Sequence, residues 1–227
     1  WIACLDQVRK EYLDKLLVEG NLRKPKCPLV NIMSPKDIKK DYDSWITLIE
    51  IIKTKGLKKL EAPVQLASGA MSQDFVDGKL ATAHFDDLEI ASRAIVDGLI
   101  LHGVKFDAVG GPTLGADALT IGIASIQRCR WFFVRKEPKG RGTNKLIEGS
   151  QIGEGERCLI VEDAITTGGS LLKAIHAVEE TGASVVAVAT LVDRGETARP
   201  LIESRGILYY PLATYLDLGI DPVEPPN

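Results

Sequence analysis

Cysteine, histidine and long apolar runs are what this sequence has least of, and each shortage removes a class of function. Four cysteines, Cys4, Cys27, Cys129 and Cys158, are scattered through 227 residues with no C-x-x-C pair and no histidine at metal spacing. That excludes a zinc or dithiol motif and leaves reduced, mostly packed thiols. The three histidines, His84, His102 and His176, stand apart from one another, and each reads as a surface or boundary residue rather than a catalyst. No apolar stretch approaches the roughly 20 residues that cross a bilayer, and none reads as a signal peptide, so a cytoplasmic protein without a membrane partner is expected. The formal charge of -3 lacks the basic excess of a nucleic-acid binder, though it leaves room for a local basic patch that meets a small polyanion. What is present is 45% hydrophobic residues, enough for the core of one domain with an appendage.

The chain is organised around residues 157–170. Cys158 to Val161 is a short continuous apolar run, the pattern of a strand buried on both faces, and Leu171, Leu172, Ile175 and Val178 then recur at helical spacing. Between them lie Glu162, Asp163, Ala164, Ile165, Thr166, Thr167, Gly168, Gly169 and Ser170, with the helix expected to open at Ser170. Free N–H groups and the positive dipole end at a helix start bind a phosphate, and Thr166, Thr167 and Ser170 add hydroxyl donors. The lysine of a nucleotide triphosphate loop is missing. The acid pair Glu162 and Asp163 instead accepts hydrogen bonds from sugar hydroxyls, and a group with both a phosphate and a vicinal diol fits a ribose 5-phosphate. An ordinary strand-to-helix turn with a Ser cap is the plain alternative.

Towards the N-terminus, Ile2, Leu5, Val8, Tyr12, Leu16 and Leu17 share one helical face, and Gly20 stops the run. Pro25 and Pro28 sit in a connector, and Ser34-Pro35 with Asp37 starts a second helix whose stripe runs from Ile38 to Ile52 and ends at Gly56. From Val64 the pattern changes. Val64 to Leu66 and Asp74 to Asp77 read as short strands around Ala67-Ser68-Gly69, and Asp86 and Asp87 open a helix that Gly103 closes. Strands are then expected at Phe106 to Val109, Trp131 to Val134, Cys158 to Val161, Val185 to Val192 and Ile207 to Tyr210, with a helix between Asp117 and about Ser125. Such alternation predicts a parallel α/β sheet with helices on both faces and a binding crevice at the strand C-termini.

Two more loops fall at those ends. Gly110 to Asp117 packs three glycines into a turn that offers successive N–H groups to an anion, although a tight structural turn explains it as well. Arg135 to Gly149 carries Arg135, Lys136, Lys139, Arg141 and Lys145 against Glu137 and Glu148. A long loop of this kind within a compact domain is more often a lid than a solvated accident.

Residues 157–170 resemble the phosphoribosyl pyrophosphate (PRPP) motif of type I phosphoribosyltransferases. Arg135 to Gly149 is similar to the flexible catalytic loop of the orotate phosphoribosyltransferases, Leu66-Ala67-Ser68-Gly69 to their L-x-S-G turn, and Val192 to Glu196 to their D-R-x-E segment. The resemblance covers about Val64 to Pro211. The helical pattern before it reads as an N-terminal helical extension or hood at 1–62, and the resemblance implies a phosphoribosyltransferase domain at 63–227, of α/β class with a parallel sheet flanked by helices. It implies that orotate and PRPP give orotidine 5'-monophosphate and pyrophosphate, with Lys136, Lys139 and Asp163 in the catalytic machinery. PRPP would be held by Arg135, Lys136, Lys139, Arg141 and residues 162–170, and orotate by Ser68, Thr166 and Arg194. Mg2+ would be held through PRPP and waters near Glu162 and Asp163 rather than by direct ligands. The family further implies a homodimer whose loop closes over the neighbouring subunit.

Three positions depart from the family: Arg141 stands where a loop histidine is common, and Ala67 and Gly115 stand where lysines are common. Two other readings therefore stay open, transfer to another nucleobase and a non-catalytic PRPP-binding regulator.

Overall fold

The structure is a computed structural model that describes residues 44–66, 69–137 and 146–224. The chain divides into two compact units, 1–46 and 47–227. The expected helix at 1–20, the connector after it, the Ser34 cap, Ala67 and Ser68, and the centre of the basic loop with Lys139 and Arg141 lie outside the described residues. Of the second expected helix, residues 44–51 are α-helical (α1), and Ile52–Gly56 finishes as a π-turn at the glycine.

A two-stranded antiparallel hairpin follows, β1 (Leu57–Gln65) with β2 (Met71–Val76), and its register shifts between Lys59 and Val64. Both strands are longer than expected, because backbone pairing continues past the apolar residues. Asp77 then caps the short helix α2 (Gly78–Ala81) by accepting from Lys79 N at 3.1 Å. Helix α3 (Phe85–Leu101) carries Asp86 and Asp87 in its first turn and buries Ala91, Ile95 and Leu99.

The main sheet has six strands: β3 (Ala108–Pro112), β4 (Arg130–Val134), β5 (Ile147–Gly149), β6 (Arg157–Ile165), β7 (Ser184–Asp193) and β8 (Leu208–Thr214). Their order is β5-β4-β3-β6-β7-β8, parallel except for the edge strand β5, which runs antiparallel to β4. Strand β5 was not expected; its residues close the basic loop by pairing Ile147 with Val134 and Glu148 with Phe133. Helix α4 (Asp117–Gln127) joins β3 to β4, and α5 (Gly169–Glu179) joins β6 to β7. Two short helices complete the chain, α6 (Ala198–Glu203) and α7 (Tyr215–Leu218).

The core explains the apolar run at 158–161. Cys158 and Ile160 pack with Leu171, Ile175 and Val178 of α5, while Leu159 and Val161, fully buried as well, alternate to the opposite face of the sheet. Fully burying a side chain of this size contributes roughly 1.5–3 kcal/mol. Connections leave β3 and β6 in opposite directions, because β4 lies to one side of this central pair and β7 to the other. The crevice beyond the C-terminal ends of β3 and β6 is thus the switch point at which an α/β sheet binds its ligand. No helix among the described residues is long and apolar enough to cross a membrane.

Candidate active site

Strand β6 does not stop at Val161. Its pairing with β7 runs on through Glu162↔Thr190 and Ala164↔Val192 to Ile165↔Asp193, so the acid pair stands inside the strand rather than beyond it. Tertiary pairing overrides the weak strand preference of Glu, Asp and Ala. Helix α5 begins at Gly169, one residue before the expected start, with Gly168 as its N-cap at φ +82. Residues 165–170 thereby wrap a small pocket of about 120 Å³. Thr166 and Thr167 are half-buried in it, and Gly169 and Ser170 are exposed at its rim. The first-turn N–H groups of a helix have no intrahelical acceptor, and Gly169, Ser170 and Leu171 of that turn line this pocket.

A larger cleft of about 930 Å³ adjoins it. One wall is the turn Pro112–Gly115 after β3, in which the Thr113–Leu114 peptide is cis. Glu162, Asp163 and Ala164 form its floor, and Arg135 and Lys136 line it from the root of the basic loop and Glu148 from β5. Arg135 is 3.7 Å from Glu148, whereas Lys136 is exposed. Burial pushes the Glu162 carboxyl well above the usual carboxylate range, and the charge of Asp163 adds to the effect. Asp163 itself accepts the Ala164 N–H at Oδ1, 2.8 Å away.

Arg194 lies at the end of β7 and is 2% exposed. Its backbone N–H donates to Ile165 O at 2.7 Å, which ties it directly to the phosphate loop. Its carbonyl accepts from Val223 N at 2.6 Å, so the C-terminal segment straps this turn. The guanidinium donates through Nη2 to Ser72 Oγ on β2 at 3.2 Å, and its Nε has no partner. Burial lowers its pKa from the ordinary value, opposed by Asp74, but a guanidinium stays charged. Arg194 is thus a buried cation with an unused N–H.

Residues 84–205 match the phosphoribosyl transferase domain family. The chain is 39% identical over 167 residues to the orotate phosphoribosyltransferase of Mycobacterium tuberculosis, covering 73% of this chain and 92% of that protein. It is equally identical over 171 residues to the one from Aquifex aeolicus, with the same coverage. The chain belongs to the orotate phosphoribosyltransferase family. The crystal structure of the Mycobacterium tuberculosis orotate phosphoribosyltransferase in complex with PRPP matches this fold with a TM-score of 0.63 at 34% identity, over 78% of this chain and 99% of that one.

For an orotate phosphoribosyltransferase, the structure brings Glu162, Asp163, Ala164, Ser170, Arg135 and Lys136 around one cleft and residues 164–170 around the pocket beside it, whereas Arg194 lines neither and is tied to Ile165 through its backbone. It also gives a physical account of Gly115. A Cβ at that position would stand 2.8 Å from both Glu162 Oε1 and Asp163 Cγ, so no lysine fits there while the acid pair keeps this arrangement. Sequence reasoning missed Lys79 and Ser72. Lys79 lines the large cleft from α2, 2.9 Å from Asp77 Oδ1 and 3.7 Å from Asp163 Oδ2.

Proposed function

We propose that this chain transfers the phosphoribosyl group of PRPP to orotate, giving orotidine 5'-monophosphate and pyrophosphate. The observation that carries the reading is Arg194, a buried guanidinium with an unused N–H, hydrogen-bonded through its backbone to the phosphate loop. Orotate differs from the other nucleobases in carrying a ring carboxylate, and a guanidinium answers a carboxylate with two parallel hydrogen bonds. Thr166 and Ser68, the latter outside the described residues, complete the base site in this reading.

The other roles follow from position. Thr166, Thr167, Gly168, Gly169 and Ser170, with the backbone of Ala164 and Ile165, hold the 5-phosphate. Asp163 and Glu162 accept the ribose hydroxyls. Sugar transfer with a good leaving group passes through an oxocarbenium-like state, so the protein's task is electrostatic. Lys136 and Arg135 at the root of the loop, and Lys139 and Arg141 in its centre, meet the diphosphate and exclude water as the loop closes.

Among the described residues no three His, Cys, Asp or Glu side chains come together to hold a metal ion. The adjacent carboxylates of Glu162 and Asp163 suit Mg2+, which keeps waters and takes substrate oxygens rather than a full protein cage. When bound, Mg2+ would neutralise charge on the diphosphate. The same reading carries a cytoplasmic homodimer, in which the loop centre of one subunit covers the cleft of the other.

Orotate absorbance followed with PRPP and Mg2+ tests the proposal. Orotate consumption with stoichiometric pyrophosphate release is expected; preference for a purine or uracil, or no release with any base, overturns it.

A further inference from the structure

Asp163 is held in a cradle that the family motif does not describe. On one side stands Gly115, and on the other Gly78, where a Cβ would lie 2.7 Å from Asp163 Cβ. The carboxylate is thus flanked by two glycines, and among the described residues the cation paired with it is Lys79. The Lys79 side chain is 53% exposed, donates to Asp77 at 2.9 Å, and lies 3.7 Å from Asp163 Oδ2, an ionic contact rather than a hydrogen bond. An ammonium has three N–H donors. With one on Asp77, the others are free to turn into the cleft of about 930 Å³ that the same side chain lines.

The charges of that cleft need such a group. Among the described lining residues, Glu137, Glu148, Glu162 and Asp163 are acidic, and the cations are Lys79, Arg135 and Lys136. Arg135 is engaged with Glu148 at 3.7 Å. A doubly phosphorylated sugar entering over two carboxylates meets repulsion unless a fixed cation stands beside them. Lys136 hangs from the root of a loop, whereas Lys79 is anchored by the helix cap Asp77 on a rigid turn against β6. In a ribose whose hydroxyls face Asp163, the anomeric diphosphate lies one ring atom away, within reach of a lysine already 3.7 Å from that carboxylate.

We propose that Lys79 is a substrate-binding residue that donates to the diphosphate of PRPP while keeping its contact with Asp163, supplying a cation from the hairpin side of the cleft that neither the loop nor the Pro112–Gly115 turn provides. The inference rests on the reading of Glu162 and Asp163 as the ribose site.

The test uses the full chain with Lys79→Gln, which keeps a polar side chain and loses the charge, and Lys79→Arg, which restores charge. KM values for PRPP and orotate are measured, together with calorimetric binding of inorganic pyrophosphate with Mg2+ and of orotidine 5'-monophosphate, which carries no diphosphate. Lys79→Gln is expected to weaken pyrophosphate and to raise the PRPP KM at least tenfold. Orotidine 5'-monophosphate affinity and orotate KM should stay within twofold, and Lys79→Arg should recover most of the loss. Unchanged pyrophosphate and PRPP values overturn the proposal, as does an equal loss for all four ligands, which would mean a structural role. An inactive wild-type chain with Mg2+ and PRPP would instead refute the enzymatic reading; Lys79 would still be judged by pyrophosphate binding.

Discussion

Replacing Arg194 by methionine separates binding from folding, because the two should move in opposite directions. Methionine keeps most of the apolar stem and removes the guanidinium. A charge-assisted hydrogen bond contributes about 1.5–3 kcal/mol, and a tenfold change in affinity is about 1.4 kcal/mol, so the orotate KM should rise roughly 10- to 150-fold. PRPP kinetics should change by less than about twofold, since Arg194 meets the phosphate loop only through its backbone N–H to Ile165 O at 2.7 Å. The fold should not suffer. In the free protein the guanidinium is 2% exposed, has one hydrogen bond to a neutral hydroxyl at 3.2 Å, and leaves Nε without a partner. Burying such a charge costs the folded state several kcal/mol, so Arg194→Met should leave Tm unchanged or raise it. Orotate turnover at saturating PRPP and a thermal melt of the same preparation read both effects. A lower Tm with unaltered orotate kinetics would make Arg194 a structural residue and remove it from the base site.

Asp163→Asn should weaken PRPP use by about 1.5–3 kcal/mol, whereas Cys158→Ser should barely change the PRPP KM; equal effects in steady-state kinetics would put the sugar elsewhere. Hybrid dimers of Lys139→Ala chains with Asp163→Asn chains, each impaired alone, should regain part of the activity at low PRPP, and verified subunit exchange without recovery would show that the loop acts within its own chain. Burial pushes the Cys158 thiol up to about 12, so at pH 8 it should resist iodoacetamide in the native protein and react once denaturant is added, as read by mass spectrometry. The same shift has a definite sign in stability: the raised folded value favours the thiol fully below the ordinary value of 9.0. That contribution is lost as pH rises from 9 towards 12, a slope that Cys158→Val should lack.

The turn between β6 and α5 was legible in the chain because its pattern is local. Every group that would hold the 5-phosphate lies within residues 162–170, so residue type and order alone identify it. The alternation of apolar strands and amphipathic helices likewise declared an α/β sheet with its crevice at the strand ends. Boundaries were less legible where pairing overrides composition: β6 runs to Ile165 because β7 continues beside it to Asp193, and β5 exists only because Val134 offers Ile147 an edge. The rest depends on residues brought together from far apart. Arg194 meets Ser72 across 122 positions, and Lys79 meets Asp163 only because the hairpin returns the chain to the end of β6. Gly115 shows the difference most directly. As a letter in the sequence it reads as a missing lysine; in the fold it is the space that the carboxylates of Glu162 and Asp163 occupy. Volume exclusion of that kind is a property of packed neighbours, and no linear pattern carries it.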